Sequence, residues 1–164
     1  MRDPLEKEIE EQVERLGFEL VELDRAGSSK RPILSLRIDR VDSEPGSGVT
    51  LDECARVSRS LEAFLEENTA IPERYVLEVS SPGVERPLVR RRDFDRFAGR
   101  EIAITGKRVL HGNARRLQGE LIGADGDEGA ERIRLRPGSG DEIAVERKDT
   151  TRIQLVYRWE GEGR

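Results

Sequence analysis

The sequence predicts an α+β protein of two domains, and three observations carry that prediction. Up to about residue 83, apolar residues recur at helical spacing in two stretches and at alternating spacing in three; beyond it the period is 2 almost throughout. The charge balance changes sign at the same place. Residues 1 to 83 hold 11 Lys/Arg against 19 Asp/Glu, net −8, and the remaining residues hold 18 against 15, net +3. Between the two patterns lies "YVLEVSSPGVERPL", a strand that ends in a Pro-Gly turn and an Arg-Pro step. The expected domains are therefore an N-terminal α-β-β-α-β sandwich-like domain over 1–84, a linker over 85–92, a small antiparallel β-barrel over 93–158 and a frayed tail over 159–164.

In the first domain, residues 3–16, "DPLEKEIEEQVERL", place Leu5, Ile9, Val13 and Leu16 on one helical stripe, with Asp3 as N-cap and Pro4 at the first helical position. Gly17 ends the helix. "FELVELDR" and "PILSLRID" are two strands joined by the turn-forming "AGSSKR", and Leu34, Leu36 and Ile38 share a face of the second. After "DSEPGSG", Thr50 and Glu53 have the spacing of a capping box. It opens a helix over about 50–67 whose expected buried stripe is Leu51, Cys54, Val57 or Ser58, Leu61 and Leu65. "RYVLEVS" completes the domain as a third strand, reached from the second through the helix as a crossover connection.

In the second domain "DFDRFAG" suits one helical turn. "EIAIT", "RLQGELIG", "ERIRLRP", "DEIAVER" and "TRIQLVY" follow as five short strands separated by "ADGDEG", "PGSG" and similar turns. Closure into a barrel would remove the exposed strand edges. Trp159 is expected to pack back from the tail.

Composition excludes much of the usual chemistry. One cysteine, Cys54, and one histidine, His111, allow neither an intrachain disulfide nor a zinc site of Cys and His ligands. No apolar run is long enough for a membrane span, and the N-terminus lacks a signal-peptide core, so a cytoplasmic protein with no membrane partner is expected. Ser80 and Ser81 stand at a strand end, where a hydrolase would hold its nucleophile. "EVSSPGV", however, lacks the first glycine of the G-x-S-x-G elbow, and Pro82 follows at once. Turn-capping serines are expected instead. The loops "EPGSGV" and "RPGSGD" lack the spacing of a phosphate cradle, and the glutamates of the first helix fan around it rather than converge. No catalytic residue, cofactor or metal site is expected.

One cluster points to a partner. From Glu85 to Arg116, ten basic residues face only Glu85, Asp93, Asp95 and Glu101. Such a stretch beside a small β domain is an electrostatic footprint for phosphate, where arginine and lysine displace counterions from nucleic acid. Arg86, Arg90, Arg91, Arg92, Arg115 and Arg116 are the candidate RNA or ribosome contacts. Only Phe94 and Phe97 are near enough in sequence to offer stacking platforms, which argues against base-by-base reading of a single strand. The acidic first domain suits a basic protein partner. Ser80, Ser81, Pro82, Gly83, Glu85 and Pro87 are the candidate interdomain hinge, Pro87 stiffening it by its fixed φ. Arg86 has two open uses there, an ion pair with Glu85 or a contact to RNA.

"LEVSSPGVERPL" resembles the signature of the bacterial ribosome maturation factor RimP family. The "GFELVELD", "VTLDECARVSRSLEAFLEE" and "DTTRIQLV" segments fall in that family's order. The resemblance implies an SH3/Sm-like barrel for the second domain and a non-enzymatic role. The protein would bind the free, immature 30S ribosomal subunit as a monomer and assist 16S rRNA maturation and incorporation of small-subunit ribosomal protein twelve. A general RNA-binding regulator without ribosomal preference is the alternative. The α-β-β-α-β order is also similar to a KH domain of the bacterial type, but no G-x-x-G loop joins two helices here, and KH binding residues are not transferred.

Overall fold

The computed structural model of the protein describes residues 3–42, 48–68, 71–83, 85–138 and 140–156. The chain divides into two compact units, Met1–Gly83 and Val84–Arg164. In the first, helix α1 (Pro4–Arg15) begins where the Asp3 carboxylate accepts from the Leu5 amide at 2.8 Å, with Pro4 in the first turn. Strands β1 (Phe18–Gly27) and β2 (Pro32–Arg40) form an antiparallel hairpin. Helix α2 (Leu51–Glu66) carries the chain to β3 (Val76–Ser80), which pairs parallel to β2, so the sheet order is β1-β2-β3.

The capping box forms as its spacing predicts. The Glu53 amide donates to Thr50 Oγ1 at 3.1 Å, and the Thr50 amide donates to Glu53 Oε1 at 2.9 Å. Leu5, Ile9 and Val13 of α1 pack with Cys54, Val57, Leu61 and Leu65 of α2 over Leu34, Leu36 and Ile38 of β2 in one core. Leu51 is a correction: it is 89% exposed. It shares the helical spacing of the stripe but is the first helical residue, and the core contacts of α2 begin one turn later at Cys54.

The second unit opens with a short helix, α3 (Arg91–Arg96), followed by β4 (Glu101–Gly106), β5 (Arg116–Asp125), β6 (Arg132–Arg136), β7 (Ile143–Glu146), a 3₁₀ turn (Arg147–Asp149) and β8 (Thr150–Leu155). All pairings are antiparallel, in the order β7-β6-β5-β4-β8. Ile102, Ile104, Leu117, Leu121, Ile133 and Leu135 turn one face inward onto Leu88, Phe94 and Phe97.

The expected closed barrel is not formed: among the described residues no pairing joins β7 to β8, and the chain holds two open sheets. The outer edge of β8 is occupied by residues 86–88. The Leu88 amide donates to the Ile153 carbonyl at 2.8 Å, the Leu155 amide donates to the Arg86 carbonyl at 2.8 Å, and Pro87 lies opposite Gln154. Those backbone groups satisfy the edge that β7 would have needed for closure. The same bonds correct the expected linker over 85–92, since Arg86, Pro87 and Leu88 are buried parts of the second unit. Trp159, with the rest of 157–164, lies outside the described residues.

Candidate nucleic-acid interface

The arginine-rich stretch separates into inward and outward side chains, and α3 is the reason. Arg86 precedes the helix by one turn and a half. Its guanidinium Nη1 lies 3.1 Å from Asp93 Oδ1, with the two side chains 5% and 1% exposed, and stands over the Phe97 ring at 4.9 Å. The other Asp93 oxygen accepts from the Val89 and Arg90 amides, both at 2.9 Å, so one carboxylate caps the helix and neutralises a buried cation. A second charge pair borders this core. The fully buried Glu131 accepts from the Gly129 amide at 3.0 Å and from Arg147 Nη1 at 3.4 Å. Arg147 also donates to the Val89 carbonyl and stands over the Phe94 ring at 5.5 Å.

This geometry corrects the candidate set. Arg86 and Arg90 are buried, so neither offers its cation to a phosphate at the surface, and Arg86 pairs with Asp93 rather than with Glu85. The reason is that a charge in a low-dielectric core is tolerated when a carboxylate and backbone carbonyls surround it. Arg91 is half-buried and ties α3 to the loop between β5 and β6. It donates to the Gly126 and Ala124 carbonyls at 3.1 and 2.6 Å and pairs with Asp95 at 2.8 Å. Arg92, Arg115 and Arg116 are exposed. Arg115 reaches back to the Gly106 carbonyl at 2.8 Å, and Arg116 bonds Gln118 on the same strand.

The turn residues also differ from expectation. Ser80 is the last residue of β3, opposite Arg37. Ser80 and Ser81 are both exposed. The turn rests on Gly83, whose φ of 78° strains any residue with a Cβ. Glu85 accepts from Gln154 Nε2 at 2.6 Å within the second unit. His111 is exposed on the turn between β4 and β5, and no group of acidic, cysteine or histidine side chains among the described residues is arranged to hold a metal ion.

Sequence reasoning missed Asp93, Glu131 and Arg147 as the partners that internalise the arginines. A trace was present: Asp93 follows Arg90 by three residues at the start of a helix, the place for a capping carboxylate. The Glu131–Arg147 pair depends on β6 and β7 bringing its members together, which no local pattern announces.

No helix among the described residues is long and apolar enough to cross a membrane. Burial raises the pKa of the Cys54 thiol above its ordinary value, and this suits a core residue rather than a nucleophile. Residues 8–85 match the family model for the RimP N-terminal domain, which coincides with the first unit and the start of the second. With that α-β-β-α-β unit and the signature at its end, residues 8–85 are similar to the N-terminal domain of RimP, a family of ribosome maturation factors.

Proposed function

We propose that the protein is a non-enzymatic, cytoplasmic and monomeric factor that binds the free, immature 30S subunit and assists 16S rRNA maturation. The observation that carries this reading is the family match over residues 8–85. The exposed Arg92, Arg115 and Arg116 of the second unit support it as contacts to rRNA phosphate. The acidic first unit is complementary to a basic partner, small-subunit ribosomal protein twelve being the one the family reading favours. An SH3/Sm-like ancestry for the second unit is supported by the strand order β7-β6-β5-β4-β8 with a 3₁₀ turn leading into β8. Ser80 to Gly83 act as the hinge between units, while Glu85 and Pro87 anchor its far side to β8. The left-handed Gly83 is the feature that supports this.

Gradient sedimentation of lysate with the tagged protein tests the reading. Co-migration with free 30S particles and absence from 70S particles is the expected result. Uniform spread over all RNA would instead select a general RNA-binding regulator.

A further inference from the structure

Between Glu101 and Glu120 the sequence holds no acidic residue, and within 106–116 it carries Lys107, Arg108, His111, Arg115 and Arg116. This segment joins β4 to β5 as a folded arm. The Gly106 amide donates to the Arg115 carbonyl and the Leu110 amide to the Ala114 carbonyl, both at 2.8 Å. Gly112 closes the tip with a φ of 58°. Leu110 packs against the core of the second unit. It lies so close over Gly106 that a Cβ there would come within 2.6 Å of its side chain and 2.5 Å of the Arg108 carbonyl. The base of the arm is therefore tightly fixed.

While Leu110 is drawn inward, its neighbour Val109 is 54% exposed, the one large apolar residue so exposed among the described residues of the second unit. The 3₁₀ turn lies against the base of the arm. The Lys107 amide donates to the Asp149 carbonyl at 2.8 Å, which brings Lys148, the preceding residue, alongside. Lys107, Arg115 and Lys148 are all exposed. Asp149 is the one carboxylate within 106–116 and 147–150, and it pairs with Arg108 at 2.7 Å. Arg115 donates its Nε to the neutral Gly106 carbonyl at 2.8 Å. Glu146, just before the turn, lies opposite Arg132 of β6. A strand of RNA alternates anionic phosphates with less polar ribose and base faces, and a fixed apolar side chain among cations meets both. Because the arm is already folded, little ordering cost opposes such a contact.

From this arrangement we propose that the β4–β5 arm and the 3₁₀ turn form an RNA contact, with Lys107, Arg115 and Lys148 on phosphodiester groups and Val109 against a ribose or base. The inference rests on the ribosomal reading for its choice of RNA over an acidic protein segment. It adds Lys107, Lys148 and Val109 to the contact set.

Fluorescence anisotropy of the full chain with a labelled oligouridylate, over a series of KCl concentrations, tests the arm. The K107A/K148A variant is expected to lower the slope of log K on log [KCl] by about 1.4, at about 0.7 per single-strand phosphate contact. V109A is expected to weaken binding roughly fourfold, as for one buried methylene, and to leave the slope unchanged, since no charge is lost. K30A/R31A removes two exposed cations from the β1–β2 turn of the first unit and should keep the wild-type slope. An unchanged slope in K107A/K148A overturns the proposal, as does unchanged affinity in V109A. An equal slope change in K30A/R31A also overturns it, because total charge would then account for binding. Displacement of the oligouridylate by polyglutamate as readily as by unlabelled oligouridylate would assign the arm to an acidic protein segment instead. Sedimentation of the wild-type protein separates these outcomes from the ribosomal reading. Migration with 30S particles together with an unchanged slope defeats the arm alone, whereas the expected slope change without such migration keeps the arm and defeats the ribosomal reading.

Discussion

Arg86 and Arg116 belong to the same basic stretch, yet one is part of a core and the other part of a surface. Arg86 is enclosed by Asp93, the Phe97 ring and the edge of β8. Arg116 stands on the outer face of β5, where it donates to the Gln118 side chain. A dense run of arginines is thus two populations with opposite consequences. The inward set should determine whether the second unit folds, and the outward set what it binds.

The sharpest way to break that comparison is Asp93→Ala. It would leave the Arg86 cation buried without its carboxylate and would remove the cap from Val89 and Arg90. Destabilisation of about 3–5 kcal/mol is expected in urea unfolding. A loss below about 1 kcal/mol would mean that water or another group reaches Arg86, and the two populations would merge. Within the first unit, Leu61→Ala in the core should cost about 2–5 kcal/mol, whereas Leu51→Ala at the exposed start of the same helix should stay within about 0.5 kcal/mol. Thermal melts of both variants check this pair.

Charge reversal at Arg92 and Arg115 should leave stability within about 0.5 kcal/mol and weaken co-sedimentation with 30S particles, with a shallower salt dependence. Unfolding of that variant would assign these side chains to the inward set.

The smallest effect concerns an ion pair outside any core. The Arg40 guanidinium bonded to Glu53 at 2.8 Å, with the Thr50 amide, holds the Glu53 carboxyl below its ordinary pKa. A group whose folded pKa is depressed contributes stability above the usual carboxylate range and loses it as pH falls through the folded value. Wild type should therefore lose a small increment of stability on acidification that Glu53→Gln lacks. Parallel acid-side slopes for the two proteins in thermal melts would show that the cap is electrostatically silent.

Where the expectations from sequence succeeded, the governing interactions are local. Asp3, Pro4, Thr50 and Glu53 act within one turn of the helices they start, and strands β4 to β8 announce themselves by alternation. Where they failed, a distant partner decided. The segment 86–88 resembles a linker because Pro87 offers no amide, yet the bonds of Arg86 and Leu88 go to β8, more than sixty residues onward.

The sequence by itself determined the two units, their element order, the opposed charge of the halves and the family signature. Each of these follows from periodicity, capping or composition within a short window. Tertiary structure decided which arginines face inward, as Arg86 does beside Asp93, and which stand on the outer face of a strand, as Arg116 does. It did so because a side chain's partner depends on which strands become neighbours. Pairing of β4 with both β5 and β8 sets Arg116 and Arg152 on either side of Thr105, a relation between residues dozens of positions apart that no local pattern encodes.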